Sequence, residues 1–165
     1  MNARLGVFLS LFFLIINIYA APKADLLSIG IGAHDVMRDE YRTAEFRLEL
    51  KPHWEWATFR PLLGGMITAK KTFYIYGGFW FDWVIKNRLM ISPSLCAGYF
   101  NDGDSHKDMG YALQFRSGIE IGWVLKNEVR LGVQFYHISN ASLGHKNPGE
   151  ESLMFSVSIP IKRYK

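Results

Sequence analysis

The chain has 165 residues, with 19 lysines and arginines against 15 acids and a net charge of +4. That length suits one domain, and so small a positive charge does not by itself indicate a partner. The single cysteine, Cys96, excludes an intramolecular disulfide, so stability has to come from strand pairing. The sequence lacks a glycine-rich phosphate loop, a metal-ligand cluster and a basic aromatic surface. We therefore expect no metal, no cofactor and no nucleic acid partner.

The first residues have the pattern of a secretory signal peptide. Arg4 precedes an apolar run, which closes on the small residues Ala20 and Ala21. The run is short for a spanning helix and no stop-transfer pattern follows it, which makes a membrane anchor the weaker alternative. We predict a signal peptide at residues 1–20, cleaved after Ala20 or Ala21, and one domain at residues 21–165.

The rest of the chain divides into runs of about ten residues, separated by Gly, Pro, Asn, Asp and charged clusters. This is the spacing of membrane-spanning β-strands, and no helical repeat of apolar residues competes with it. The pattern predicts eight strands, an even number. They cover residues 26–35, 43–50, 59–68, 72–83, 89–99, 111–123, 128–139 and 152–161.

Side chains within these runs alternate between two chemical types. In the second run, Phe46 and Leu48 alternate with Glu45, Arg47 and Glu49. An apolar face suits lipid, while acids, bases and amides on the other face can pair inside a narrow barrel that side chains fill. The sequence therefore predicts an all-β fold, an eight-stranded antiparallel up-and-down transmembrane β-barrel.

A soluble β-sandwich would also alternate, and Pro61 and Pro93 argue against a barrel because each removes a ladder hydrogen bond. The even strand number, short turns such as Lys86-Asn87 and aromatic residues near strand ends favour the barrel nevertheless. Those aromatic residues are Trp54, Trp56, Trp80, Trp83, Tyr99 and Trp123.

The last predicted hairpin carries residues that suit nucleophilic catalysis. His137 and Ser139 lie two apart, so they share one face of a strand, and that face is the one predicted to meet lipid. A serine hydroxyl needs a base, usually a histidine held by a carboxylate. Glu151 opens the next strand, where an antiparallel neighbour can bring its carboxylate beside His137. Asn140 offers a backbone and a side-chain amide for an oxyanion.

In a non-catalytic interpretation, His137 is a residue at the membrane interface and Ser139 is the first residue of a loop. An isolated His-x-Ser occurs by chance in many chains. Asn140, Ala141 and the spaced Glu151 make the pattern more specific and favour a Ser-His-Glu site. Glu150 is the competing acid.

Two motifs in this hairpin, His-x-Ser-Asn-Ala at residues 137–141 and Asn-Pro-Gly-x-Glu at 147–151, resemble those of the lipid A 3-O-deacylases of Gram-negative outer membranes. The wider match, eight strands behind a signal peptide, covers nearly the whole mature chain but is less specific. The resemblance implies an outer-membrane serine esterase that releases the acyl chain at position 3 of lipid A. It implies no metal. With the amino terminus on the periplasmic side, the odd-numbered strands run outward, so we expect the site, at the end of the seventh strand, to face the outer leaflet.

Residue by residue, the resemblance implies that Ser139 is the nucleophile and His137 the base. Glu151 matches the orienting acid and Asn140 the oxyanion-binding residue. Ser142 departs from the pattern, because many relatives carry glycine there.

The implied partners are lipid A, or lipopolysaccharide, and the surrounding outer-membrane lipids. We expect the acyl chain to bind in an outward groove lined by Leu131, Val133 and Phe135, because lipid already surrounds that face. Whether the barrel forms a homo-oligomer stays open. Two other functions also stay open: a non-catalytic barrel with a structural or adhesion role, and a phospholipid esterase or acyltransferase.

Overall fold

The computed structural model describes residues 18–20, 23–53, 60–86 and 88–164. A short 3₁₀ turn, Gly103–Ser105, interrupts one loop of this part of the chain. The strands in these residues are β1 Ile18–Ala20, β2 Ala24–His34, β3 Thr43–Lys51, β4 Arg60–Thr68, β5 Phe73–Trp80, β6 Trp83–Ile85, β7 Leu89–Asn101, β8 Leu113–Val124, β9 Arg130–Ser139 and β10 Glu150–Arg163.

Eight of these strands form a closed antiparallel barrel in the order β2, β3, β4, β5, β7, β8, β9, β10, and β10 pairs back with β2. The predicted fold is therefore confirmed. The short strand β6 extends the sheet beside β7, and β1 pairs with β6. Among the described residues, no helix is long and apolar enough to cross a membrane.

Strand β1 lies within the predicted signal peptide, and the signal peptide stays a prediction. Most of that segment lies outside the described residues, as do Trp54, Trp56, Phe59 and Asn87.

Most strands begin or end one to three residues away from the predicted bounds, and two of these differences affect the interior or the candidate site. The predicted strand 72–83 ends at Trp80, after which Asp82 lies inside the barrel and accepts hydrogen bonds from Arg60 at 2.9 Å and Arg130 at 2.7 Å. The last strand begins at Glu150 rather than at residue 152, which adds both candidate acids to the β-ladder.

Pro61 and Pro93 lie within β4 and β7, opposite Phe79 and Ile119. The barrel therefore accommodates the two prolines that argued against it.

The two faces of the barrel differ in the way the alternation predicts. Phe46 and Leu48 are exposed on the outer face, while Glu45, Arg47 and Glu49 are buried in the interior. Inside, Arg116 Nη1 donates to Glu49 Oε1 at 2.8 Å, and Lys51 Nζ donates to Glu120 Oε2 at 3.0 Å. Buried charges are tolerated only when they are paired in this way. The interior is thus filled by paired polar side chains, as expected for a narrow eight-stranded barrel.

Four loops meet at one end of the barrel and are called the rim loops below: residues 35–42, 69–72, 102–112 and 140–149. The two longest follow β7 and β9. The β9–β10 hairpin, which carries the candidate catalytic residues, opens at this end.

Candidate active site

His137 and Glu151 face each other across the β9–β10 hairpin. They are direct partners in the strand register, and the imidazole Nδ1 lies 2.9 Å from Glu151 Oε1. The His137 side chain is 41% exposed and that of Glu151 is 20% exposed, so the pair is accessible from outside the barrel. When Nδ1 donates its proton to the carboxylate, Nε2 becomes the basic nitrogen, free to accept a proton from a hydroxyl.

Ser139 is the last residue of β9 and lies on the same outer face as His137. The alternation of the strand produces this placement, because Tyr136 and Ile138 point inward and are buried while His137 and Ser139 are partly exposed. The structure therefore brings a hydroxyl, an imidazole and a carboxylate to one rim of the outer surface. These are the groups that a serine esterase uses.

Glu150, the competing acid, points to the opposite face of the sheet. Its carboxylate is buried in the barrel, where Oε2 lies 3.0 Å from Nε2 of His34. His34 Nδ1 in turn lies 3.1 Å from Glu45 Oε2. Successive residues of a strand point to opposite faces, so only one of the two glutamates can reach His137. In this register that residue is Glu151.

Gly149 allows the hairpin to close over the histidine. Its φ of +67° lies in the left-handed region, and a Cβ at this position would lie 2.7 Å from Cε1 of His137. Both the backbone conformation and the contact exclude a side chain here without a shift. The glycine of the sequence motif is thus explained by direct packing on the imidazole.

Asn140 is fully buried beneath the loop that follows β9. Its side-chain amide donates to the carbonyl of Met109 at 2.8 Å and to that of Lys146 at 2.5 Å. Its backbone N–H donates to Asn147 Oδ1 at 3.0 Å. Both groups that the sequence offered to an oxyanion therefore bind loop acceptors in this arrangement.

The turn after Asn140 has two consecutive residues with positive φ, Ala141 at 52° and Ser142 at 64°. Leu143 N–H donates back to the Asn140 carbonyl at 3.0 Å, which gives the features of a type I′ turn. Glycine is favoured in such a conformation. A glycine at position 142 would adopt this conformation without the strain that Ser142 bears.

A groove of about 390 Å³ on the barrel wall includes Ser139 in its lining. In the strand register, Ser139 is opposite Phe115 on β8, Phe115 is opposite Ala97 on β7, and Ala97 is opposite Gly77 on β5. Ser139, Ala97 and Gly77 have small side chains, whereas Phe115 between Ser139 and Ala97 is large; all four line the groove. The groove runs from the serine across three strands.

Leu131, Val133 and Phe135 are exposed on the outer face of β9, as predicted. They lie on the part of β9 before His137, whereas the groove runs from Ser139 across β8, β7 and β5. Apart from Ser139, the residues of this groove could not be identified from the sequence, because side chains on separate strands give no local signal.

An ionic cluster joins two rim loops near the site. Asp108 accepts hydrogen bonds from the backbone N–H of Gly110 at 2.8 Å and from His145 at 3.0 Å, and it pairs with Lys146 at 3.1 Å. The Gly110 N–H, followed by the His145 and Lys146 contacts, lowers the pKa of the Asp108 carboxyl to about 2. These contacts link the β7–β8 loop to the loop between Ser139 and Glu151.

A closed eight-stranded barrel with an apolar outer face, a charged interior and an accessible His-Glu pair beside a serine defines the class of outer-membrane β-barrel enzymes. Residues 40–160 match the family model described as Lipid A 3-O-deacylase (PagL). The chain belongs to this family of outer-membrane ester hydrolases. A comparison with curated proteins found no match.

Two solved structures share the fold. One is described as the crystal structure of the outer membrane enzyme PagL; it is 22% identical with a TM-score of 0.67, over 82% of this chain and 99% of that chain. The other is described as a de novo design of transmembrane β-barrels, with 8% identity, a TM-score of 0.63, and coverage of 86% of this chain and 98% of that chain. These similarities concern the barrel.

Proposed function

We propose that the protein hydrolyses the ester at position 3 of lipid A, with Ser139, His137 and Glu151 as a catalytic triad. The observation that carries this proposal is the 2.9 Å contact between His137 Nδ1 and Glu151 Oε1 on the outer face, in the hairpin that also holds Ser139. Membership of the family supports the substrate class.

The chemistry follows from the placement of the three groups. His137 Nε2 accepts the serine proton as Ser139 Oγ attacks the ester carbonyl carbon, which forms a tetrahedral intermediate. The intermediate collapses, the sugar oxygen leaves with the proton from His137, and the acyl group stays on Ser139. Water then attacks the acyl-enzyme with His137 as base, which releases the fatty acid and restores the serine. Glu151 stabilises the imidazolium in both steps.

Asn140 is the proposed oxyanion-binding residue. To fill this role, its side-chain amide has to exchange the Lys146 carbonyl for the oxyanion, or its backbone N–H has to exchange Asn147 Oδ1. Both acceptors lie in the loop between β9 and β10, directly beside the site. Preorganised donors contribute most when they point at the developing charge, so this exchange has to precede the chemical step.

The substrate is proposed to approach through the membrane. The serine and histidine lie on the face that carries the exposed apolar side chains, at the end of the barrel where the rim loops meet. The groove that includes Ser139 suits an acyl chain, since it is lined mostly by apolar surface such as that of Phe79, Leu95 and Phe115. Leu131, Val133 and Phe135 would contact neighbouring acyl chains of the same lipid.

Mass spectrometry of lipid A from Gram-negative cells that produce either the wild type or Ser139→Ala tests this proposal. We expect the wild type alone to remove one 3-hydroxyacyl group. Unchanged lipid A in both strains would indicate a non-catalytic barrel, provided that both proteins reach the outer membrane in equal amounts. Unchanged lipid A with altered phospholipids in the wild-type strain would favour a phospholipid esterase or acyltransferase.

A further inference from the structure

Two cationic side chains from distant parts of the chain bind the backbone just before Glu151. Lys107 comes from the β7–β8 loop and Arg38 from the β2–β3 loop. Both donate to the carbonyl oxygen of Gly149, Lys107 at 2.6 Å and Arg38 at 3.1 Å. A single peptide group is therefore held from two sides by loops that share no strand with the hairpin.

Lys107 is a buried lysine, only 5% exposed. Its ammonium also pairs with the fully buried carboxylate of Asp35 and lies 5.3 Å from the centre of the Tyr41 ring. A charge that is buried this deeply is tolerated because it is paired and hydrogen-bonded. Lys107 thus fixes the distance between Asp35 and the Gly149 carbonyl.

Arg38 extends the same set of contacts to the catalytic carboxylate. Nη2 donates to the Pro148 carbonyl at 2.7 Å, while Nη1 donates to Asp35 Oδ1 at 3.0 Å. Nη1 also lies 3.5 Å from Oε2 of Glu151, whose other oxygen, Oε1, contacts His137. The two oxygens of the carboxylate are therefore shared between the guanidinium and the imidazole, which fixes the rotation of the carboxylate.

The backbone of Glu151 is held as well. Val36, the residue directly after Asp35, donates its backbone N–H to the Glu151 carbonyl at 2.8 Å. Asp35 itself has a φ of +50°, a conformation that is uncommon for residues other than glycine and that needs support from its surroundings. The β2–β3 loop is thus joined to Glu151 through both its backbone and its side chains.

We propose that Asp35, Arg38 and Lys107 are positioning residues that hold the Pro148-Gly149 segment and thereby keep Glu151 against His137. This inference rests on the proposed function, because it assigns the three residues to the same triad. None of them has to touch the substrate. Their effect on the reaction passes through Glu151, so it should disappear when Glu151 no longer acts as a carboxylate.

A double-mutant cycle on the purified, folded barrel tests this dependence. The proteins are the wild type, Lys107→Met, Glu151→Gln, the double variant and Ser139→Ala, with release of fatty acid from lipid A in detergent as the readout. Lys71→Met is the matched control, because Lys71 is another rim-loop lysine in an ion pair, with Asp104 at 2.8 Å, but it lies away from the hairpin. Heat-modifiable gel mobility verifies that each variant is folded.

We expect Lys107→Met to lower kcat by about tenfold to a hundredfold with KM unchanged, since a small misplacement of a catalytic group costs up to that much. In the Glu151→Gln background the same substitution should cause no further loss, because residues that act as one unit are not additive. Lys71→Met should keep wild-type kcat. A normal kcat for Lys107→Met, or a loss that multiplies with that of Glu151→Gln, would overturn the proposal.

Lys107→Met removes one of the cations that pair with the buried carboxylate of Asp35. The less compensated charge could disorder the loop, and a disordered loop could also lower kcat. The variant Asp35→Asn/Lys107→Met removes both charges of the buried pair, and Arg38, which loses its contact with Asp35, keeps Glu151 as an ionic partner. It should show the same fall in kcat and the same lack of further loss in the Glu151→Gln background; additive losses here would also overturn the proposal. A wild type that releases no fatty acid, or an active Ser139→Ala, would instead contradict the proposed function itself.

Discussion

Gly149 packs so closely on His137 that a Cβ at position 149 would lie 2.7 Å from the imidazole Cε1. The contact joins the backbone of the rim loop to the proposed base. The position of the imidazole ring therefore depends on a residue that has no side chain and takes no part in the chemistry.

Gly149→Ala should lower kcat by about tenfold to a hundredfold, because the added methyl displaces the imidazole and the φ of +67° is strained for alanine. Steady-state release of fatty acid from lipid A measures the effect. Gly65→Ala is the control, since a Cβ there meets its nearest neighbour, the Tyr74 carbonyl oxygen, at an ordinary 3.7 Å. Equal activity of both variants would show that the Gly149 contact does not control the histidine.

The two adjacent glutamates should respond differently to the same substitution. Glu151→Gln should reduce kcat by about 10³- to 10⁴-fold, as expected when the acid of a triad loses its charge. Glu150→Gln should keep kcat near the wild-type value but lower the free energy of unfolding by about 1–3 kcal/mol, because it weakens a buried contact with His34. Activity assays and urea unfolding in detergent measure the two effects. The reverse pattern would make Glu150 the catalytic acid.

The Asp108 cluster should give the rim loops an acid-sensitive contact. Because folding lowers the pKa of Asp108 from 3.8 to about 2, the contact stabilises the folded loops fully above pH 3.8, and this contribution is lost as the pH falls from 3.8 through about 2. An NMR titration of the side-chain carboxyl should therefore have its midpoint near 2. A midpoint near the ordinary value of 3.8 would contradict the cluster.

Asp108→Asn should make the exchange of loop amides near residue 145 with solvent independent of pH between about 2 and 4, after correction for the intrinsic exchange rate. The wild type should lose protection over the same interval. Similar protection in both proteins at pH 5 and at pH 2 would show that the ionic contacts do not order the loop.

Filling the groove beside Ser139 should impair binding of an acyl chain. Ala97→Leu places a larger side chain in the row that joins Ser139 to Gly77, and we expect kcat/KM to fall by about tenfold, with the largest effect on long acyl chains. Leu48→Phe is the matched control, because Leu48 faces outward on β3, away from the groove. A similar change in both variants, or none in Ala97→Leu, would show that the acyl chain binds elsewhere.

The barrel could be predicted from the sequence because apolar and polar side chains alternate within each strand separately. Glu45, Arg47 and Glu49 need an interior and Phe46 and Leu48 need lipid, whatever the other strands contain. The His137–Glu151 contact could also be predicted, since both residues lie in one hairpin, whose two strands pair directly with each other. It was harder to predict which of Glu150 and Glu151 is the acid beside His137. A shift of one residue in the strand register would move Glu151 to the inner face of the barrel and Glu150 to the outer face.

The residues that surround and position the candidate site could not be predicted from the sequence in the same way. Arg38 and Lys107 contact Gly149 from loops that are separated from it by 111 and 42 residues, and no local pattern links them. The groove likewise depends on Gly77, Ala97 and Ser139, one small residue on each of three strands, whose alignment is set by the closed register. Asn140 was recognised as a functional candidate, but its present acceptors, the carbonyls of Met109 and Lys146, follow from loop packing alone.

The proposed reaction is tested most directly by tandem mass spectrometry of purified lipid A after incubation with the purified wild type or with Ser139→Ala. We expect the wild type to release one free 3-hydroxy fatty acid from the ester at position 3, with the other acyl chains retained, and Ser139→Ala to release none. Equal release by both proteins, or release from another position, would contradict it.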